Sequence, residues 1–188
     1  MAGRFARSFV PDARRVKGRG LASTRRPRQL LPQGERTMRT YLVVIDDSPE
    51  AEIALRFAAR RAVKTGGGVE ILALIAPQEF IAFGGVQATI EDEARQRADA
   101  LVSRAAGTLM DEAGLRPSVV VKQGEPVATV LKRLADNDQI AALVLGAAEA
   151  GPPGPLIAHF AGVDAGKLPC PVMIIPGNLD ADAIDRLS

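Results

Sequence analysis

The aspartate pair Asp46-Asp47 directly follows the apolar run Tyr41–Ile45. A carboxylate at the end of a buried strand could accept hydrogen bonds from ribose hydroxyls or from an adenine amine. It would equally serve the start of a following helix. Ser48 is a good N-cap, Pro49 a good first helical residue, and Glu50 and Glu52 suit the positive end of the dipole. A second candidate segment opens at Gly146, after the run Ile140–Leu145. Gly146 permits close backbone approach, and Gly151 and Gly154 could bring N–H groups to a phosphate at the next helix start. Pro152, Pro153 and Pro155 remove donors from the same segment, so it reads as readily as a stiff connector. His159, the single histidine, follows on a short helix and could touch a ligand phosphate. With no acid or nucleophile evident beside it, a structural or surface role outweighs that one. Cys170 is the single cysteine, which excludes an internal disulfide and a cysteine-based zinc site, and it reads as a small buried hydrophobe.

Other signatures fail on inspection. Gly166-Lys167 invites comparison with a P-loop, but the required earlier glycine is Ala161 and the required hydroxyl is Leu168. No G-x-G-x-x-G follows a strand-like run, and no G-x-S-x-G or H-E-x-x-H occurs. The sequence therefore predicts no metal and points away from catalysis.

The elements that must position these residues alternate. Tyr41–Ile45 and Val69–Ile75 are short continuous apolar runs suited to strands buried on both faces. Between them Ile53, Ala54, Phe57, Ala58 and Ala62 recur at helical spacing, until Gly66-Gly67-Gly68 stops the helix. Pro77–Val86 reads as an irregular loop carrying Phe80 and Phe83. Thr89-Ile90-Glu91-Asp92 resembles a capping box for a helix to about Glu112, with Ile90, Ala94, Ala98, Leu101, Ala105 and Leu109 as its buried stripe. Pro117–Val121 is a third strand. Gly124-Glu125-Pro126 opens a helix with Val127, Val130, Leu131 and Leu134 inward. Ile140–Leu145 is a fourth strand, a short helix spans about Leu156–Lys167, and Pro171–Ile175 is a fifth strand. Strands separated by helices imply a doubly wound α/β parallel sheet with right-handed crossovers. If the strand order is 3-2-1-4-5, which the family resemblance given below implies, the ends of strands one and four flank the crevice where such sheets bind ligands.

The chain has 188 residues and a net charge of +2, and that sum hides a division. Residues 1–39 hold 11 of the 24 Lys and Arg but only two acids, Asp12 and Glu35, for a net +9, whereas the chain from Thr40 carries −7. Residues 1–38 therefore read as a disordered basic extension. Three accounts of it compete: a mis-called start upstream of Met38, an organellar presequence, and an arm that binds nucleic acid or an anionic surface. The folded part, residues 39–177, lacks the charge for nucleic-acid binding, and residues 178–188 read as a polar tail. No stretch approaches the ~20 apolar residues of a membrane span.

Taken in order, several segments resemble the universal stress protein family: Val43-Val44-Ile45-Asp46-Asp47-Ser48, Ala54-Leu55-Arg56-Phe57-Ala58, Gly124-Glu125-Pro126, Leu143-Val144-Leu145-Gly146, and Cys170-Pro171-Val172-Met173-Ile174-Ile175-Pro176. The resemblance covers Met38 to about Gly177. It implies a five-stranded sheet of the adenine nucleotide alpha hydrolase-like kind, a cytoplasmic stress-response role, and homodimers paired through strand five, with protein partners unknown. Some members bind ATP and others do not, so ATP or another adenine nucleotide is allowed but not required. The ATP-binding branch carries G-x2-G-x9-G-[ST] after strand four. Here Gly146 matches the first glycine, Glu149 stands at the second with Gly151 as a substitute, and Ala158-His159 replaces the closing pair, with the segment one residue short. A methyl at Ala158 would stand where backbone must approach phosphate. On that partial match the resemblance implies Val44, Ile45, Asp46, Leu74, Leu145, Gly146, Gly151, Gly154 and His159 as the nucleotide-binding set. The functional expectation is a non-catalytic module that binds an adenine nucleotide weakly. The alternatives are a weak nucleotide hydrolase or adenylyl-transferring relative on the same scaffold, and a ligand-free dimeric interaction protein.

Overall fold

A computed structural model describes residues 39–77, 84–162 and 165–188. The readings of residues 1–38 and of Phe80 and Phe83 lie outside these residues.

Five strands form one parallel sheet: β1 (Thr40–Ile45), β2 (Gly68–Ile75), β3 (Ser118–Gln123), β4 (Ile140–Ala147) and β5 (Val172–Pro176), in the order β3-β2-β1-β4-β5. The helices are α1 (Pro49–Thr65), α2 (Gly84–Ala113), α3 (Pro126–Asp136), α4 (Pro155–Phe160) and α5 (Ala181–Leu187), with one 3₁₀ turn at Ala165–Lys167. The strand order is the expected one, and it places β1 and β4 side by side with their helices leaving in opposite directions.

The period-2 alternation of the strands divides the core into two layers. Tyr41, Val43, Ile45, Ile71, Ala73 and Val144 pack with α1 and α2 on one face. Leu42, Leu72, Leu143 and Leu145 pack with Val130, Leu134 and Phe160 from α3 and α4 on the other. The predicted stripe of α2 holds at its centre, where Ala98, Ala105 and Leu109 are buried. Leu131 differs from expectation: it is 38% exposed, because Val130 and Leu134 already fill the inward side of α3.

One polar group enters this core. Glu70 on β2 is 3% exposed and lies on the α3 face, where Arg133 meets it with Nε–Oε1 at 2.5 Å and Nη2–Oε2 at 2.6 Å. Asn137 Nδ2 reaches the same Oε2 at 3.5 Å. The hydrogen bonds to Glu70 raise the already high pKa of the Arg133 guanidinium further.

The helix starts and stops follow local chemistry. Ser48 caps α1 by accepting the Ala51 N–H at 3.3 Å, and Pro49 follows it. Gly66 ends α1 with φ 65°, a left-handed conformation that glycine adopts without strain. Three boundaries differ from the sequence reading. The helix α2 begins at Gly84, ahead of the Thr89 capping pattern. The segment after Pro155 folds as the short α4 and a separate 3₁₀ turn, in place of one helix from Leu156 to Lys167. Residues 181–187 of the expected polar tail form α5, with Ile184 buried and Lys64 Nζ holding the backbone oxygens of Asp185 and Ser188.

β3 and β5 are the sheet edges. β5 runs between Pro171 and Pro176, and its Ile174 is 39% exposed. Half-buried Cys170, just ahead of it, packs against the α3–α4 layer, and burial pushes its thiol pKa up.

Candidate functional site

The carboxyl ends of β1 and β4 open into a cleft of about 270 Å³. Val44, Leu74 and Leu145 supply an apolar base from three adjacent strands. Asp46, Ser48, Glu50 and Ala51 supply one wall from the β1–α1 junction, and Pro126 of α3 with Gly154, Pro155, Leu156 and Ile157 of the α4 start supply the other. Apolar walls with a few converging polar groups at a switch point of an open sheet are the general pattern of a small-ligand site.

The polar groups are positioned by the turn into α1. Asp46 Oδ1 accepts the Ser48 N–H at 3.0 Å, which fixes the carboxylate at the strand end. Asp46 thus serves the helix start and lines the cleft at once. Asp47 points elsewhere and pairs with Arg104 of α2 at 2.9 Å.

Gly146 has a structural reason that spacing alone did not reveal. A Cβ there would lie 2.2 Å from the Glu50 carbonyl oxygen and 2.5 Å from its carbonyl carbon. The close approach that Gly146 permits is therefore that of α1 onto β4. Gly177 does the same from β5, where a Cβ would meet the Ala147 oxygen at 2.7 Å and Glu50 Cβ at 3.0 Å. Together these glycines seat the first turn of α1 against the strand ends.

Seven of the nine sequence-derived residues, Val44, Ile45, Asp46, Leu74, Leu145, Gly146 and Gly154, line the cleft. Gly151 and His159 do not line it. Gly151 adopts φ 95°, a turn conformation, with nothing within 4 Å of a notional Cβ. His159 stacks edge-on against Phe160 at 5.1 Å and is half-buried. The sequence-derived set lacked the lining residues Ser48, Glu50, Ala51, Pro126, Ala148, Pro155, Leu156 and Ile157. Pro126 and Ile157 reach the cleft only through the packing of α3 and α4 over the sheet.

Glu125 caps α3 with its side chain, accepting the N–H of Ala128 at 2.6 Å and of Val127 at 3.1 Å. Those bonds, Ala128 first, hold its carboxyl below the ordinary glutamate pKa. A carboxyl depressed in the folded state contributes stability above its unfolded pKa and loses it as pH falls through the folded one. Glu125→Ala is therefore expected to destabilise the protein at neutral pH, with the difference from wild type closing in acid; urea unfolding at a series of pH values reads this directly.

The universal stress protein family matches residues 38–176. The chain belongs to that family. Among solved structures, the universal stress protein UspA from Lactobacillus plantarum superposes with a TM-score of 0.62 at 17% identity, over 73% of this chain and 97% of that one. A universal stress protein from Burkholderia pseudomallei gives 0.58 at 19% identity, over 76% and 99%. The universal stress protein from Archaeoglobus fulgidus in complex with dAMP gives 0.52 at 22% identity, over 73% and 97%. These likenesses establish the fold. No curated protein matches the sequence. The family match ends at Pro176, so α5 lies beyond it. Among the described residues no helix is long and apolar enough to cross a membrane, and no group of three or more His, Cys, Asp or Glu could hold a metal.

Proposed function

We propose that this universal stress protein is a non-catalytic stress-response module whose β1–β4 cleft holds an adenine-containing ligand weakly. The observation that carries the reading is the convergence of Val44, Leu74 and Leu145 under Asp46 at the switch point of the sheet. A purine ring laid on those side chains buries its apolar faces, and the Asp46 carboxylate accepts from ribose hydroxyls or the ring amine. The dAMP complex of the Archaeoglobus fulgidus relative supports the ligand class. The non-catalytic part rests on how the lining is engaged: among the described lining residues the one hydroxyl, Ser48 Oγ, accepts the Ala51 N–H, and the neighbouring Asp46 carboxylate accepts the Ser48 N–H.

The expected outcome is saturable adenosine binding in calorimetry or ligand-observed NMR, abolished in Leu145→Lys, with ATP turnover no faster than buffer. Turnover above buffer that Leu145→Lys removes would establish the hydrolase reading instead.

We further propose a homodimer paired through β5. That edge is apolar, its Ile174 is 39% exposed, and covering it across a two-fold axis removes an exposed strand edge. Light scattering is expected to give twice the chain mass of 19.8 kDa, and Ile174→Asp to shift it toward a single chain. A wild-type mass of one chain refutes the dimer.

A further inference from the structure

Three helices begin at the wall of the cleft: α1 at Pro49, α3 at Pro126 and α4 at Pro155. A helix start attracts anions through unpaired N–H groups and the dipole. Here each start is a proline, so that N–H is missing at all three. In α1, Ser48 takes the Ala51 N–H, Asp46 takes the Ser48 N–H, and Glu50 and Glu52 occupy the first turn. In α3, the Glu125 carboxylate takes the N–H of Val127 and of Ala128. α4 has six residues, too few for a substantial dipole. At α1 and α3 the first N–H groups are thus engaged by Ser48, Asp46 and Glu125, whereas α4 carries no side-chain cap.

The side chains carry the same sign. Asp46 and Glu50 are the charged groups among the described lining residues, and no Lys, Arg or His is among them. Residues 78–83 and 163–164 contain none of those three types either. Glu50 is held where it matters: a notional Gly177 Cβ lies 3.0 Å from Glu50 Cβ and 3.6 Å from the Glu149 backbone nitrogen. Its side chain therefore leaves α1 beside the chain emerging from β4, which lines the cleft at Gly146 and Ala148. A phosphoryl group entering there meets the charges of Asp46 and Glu50, with no cation among the described lining residues to offset them.

We infer that the cleft selects an uncharged nucleoside of the adenosine class over its phosphates, and that Glu50 is the residue that sets this preference. The inference rests on the adenine reading above and specifies which form of that ligand the cleft takes. Asp46 holds the sugar or the amine, the apolar base holds the ring, and Glu50 repels added negative charge.

The experiment is calorimetric or NMR titration of the full chain with adenosine, AMP and metal-free ATP at low and moderate salt. Binding is expected to weaken about tenfold from adenosine to AMP and further to ATP at low salt, with the gap narrowing as salt rises. In Glu50→Gln the adenosine-to-AMP ratio is expected to fall several-fold. AMP or ATP binding as tightly as adenosine overturns the inference and leaves the adenine reading standing. An unchanged ratio in a folded Glu50→Gln overturns the role of Glu50. No binding of any of the three overturns both readings together.

Discussion

Gly146→Ala is expected to lower the unfolding free energy by about 3 kcal/mol, at the upper end of what overpacking costs. The added methyl would stand 2.2 Å from the Glu50 carbonyl oxygen and 3.0 Å from the Ala51 nitrogen, and all of those atoms are backbone. A flexible side chain could swing aside; the first turn of a 17-residue helix cannot, because Ala51, Ala54 and Leu55 behind it are buried. Relief requires α1 to move as a body from β4. Gly154→Ala is the control. Nothing lies within 4 Å of a Cβ at Gly154, so its cost is expected to stay within about 1 kcal/mol. Chemical denaturation of both variants separates a packing glycine from one with open space. A loss below about 1 kcal/mol at Gly146 refutes the close approach.

Arg133→Met is expected to cost about 3 kcal/mol, because it strands the Glu70 carboxylate in the α3–α4 layer. Glu70 is 3% exposed and both of its oxygens face the guanidinium, whereas the Arg133 side chain keeps 26% exposure. That partial exposure places the expected loss at the low end for a broken buried pair. Glu70→Leu combined with Arg133→Met is expected to recover most of the loss, since replacing both partners of a buried pair with apolar groups is often neutral or stabilising. Urea midpoints of the single and double variants decide it. A double variant as unstable as Arg133→Met alone would show that the pair's own geometry, and not the uncompensated charge, holds α3 in place.

The two cases show where sequence was sufficient and where it was not. The Ser48-Pro49 helix start and the glycine stop at Gly66 are local chemistry, each legible in a few consecutive residues, whereas the strand order followed from the family resemblance. Seven cleft residues were reachable because strand ends can be located from apolar runs and the switch point follows from the order. Gly146 lines the cleft, but the close approach it permits is that of a helix turn 96 residues away in sequence, which no local pattern reveals. Glu50 read only as a helix-start acid, because its place beside Glu149 depends on Gly177. Glu70 was passed over within an apolar run, although a lone acid between Val69 and Ile71 is itself a signal for a buried partner. α5 was missed because its one buried residue, Ile184, is too sparse for periodicity to stand out, though Asp180 does cap it by accepting the Ala183 N–H at 2.7 Å.

The short β5 has a consequence for assembly. Pro171 turns its carbonyl inward to the Leu143 N–H at 3.0 Å, so of the two flanking prolines Pro176 is the one that removes a donor from the free edge. Along that edge Val172 and Ile174 are the donors of the five-residue strand, and a ladder so brief admits very few alignments. Chains that meet here can stop at a defined pair, because the rail runs out before a growing stack could choose among registers.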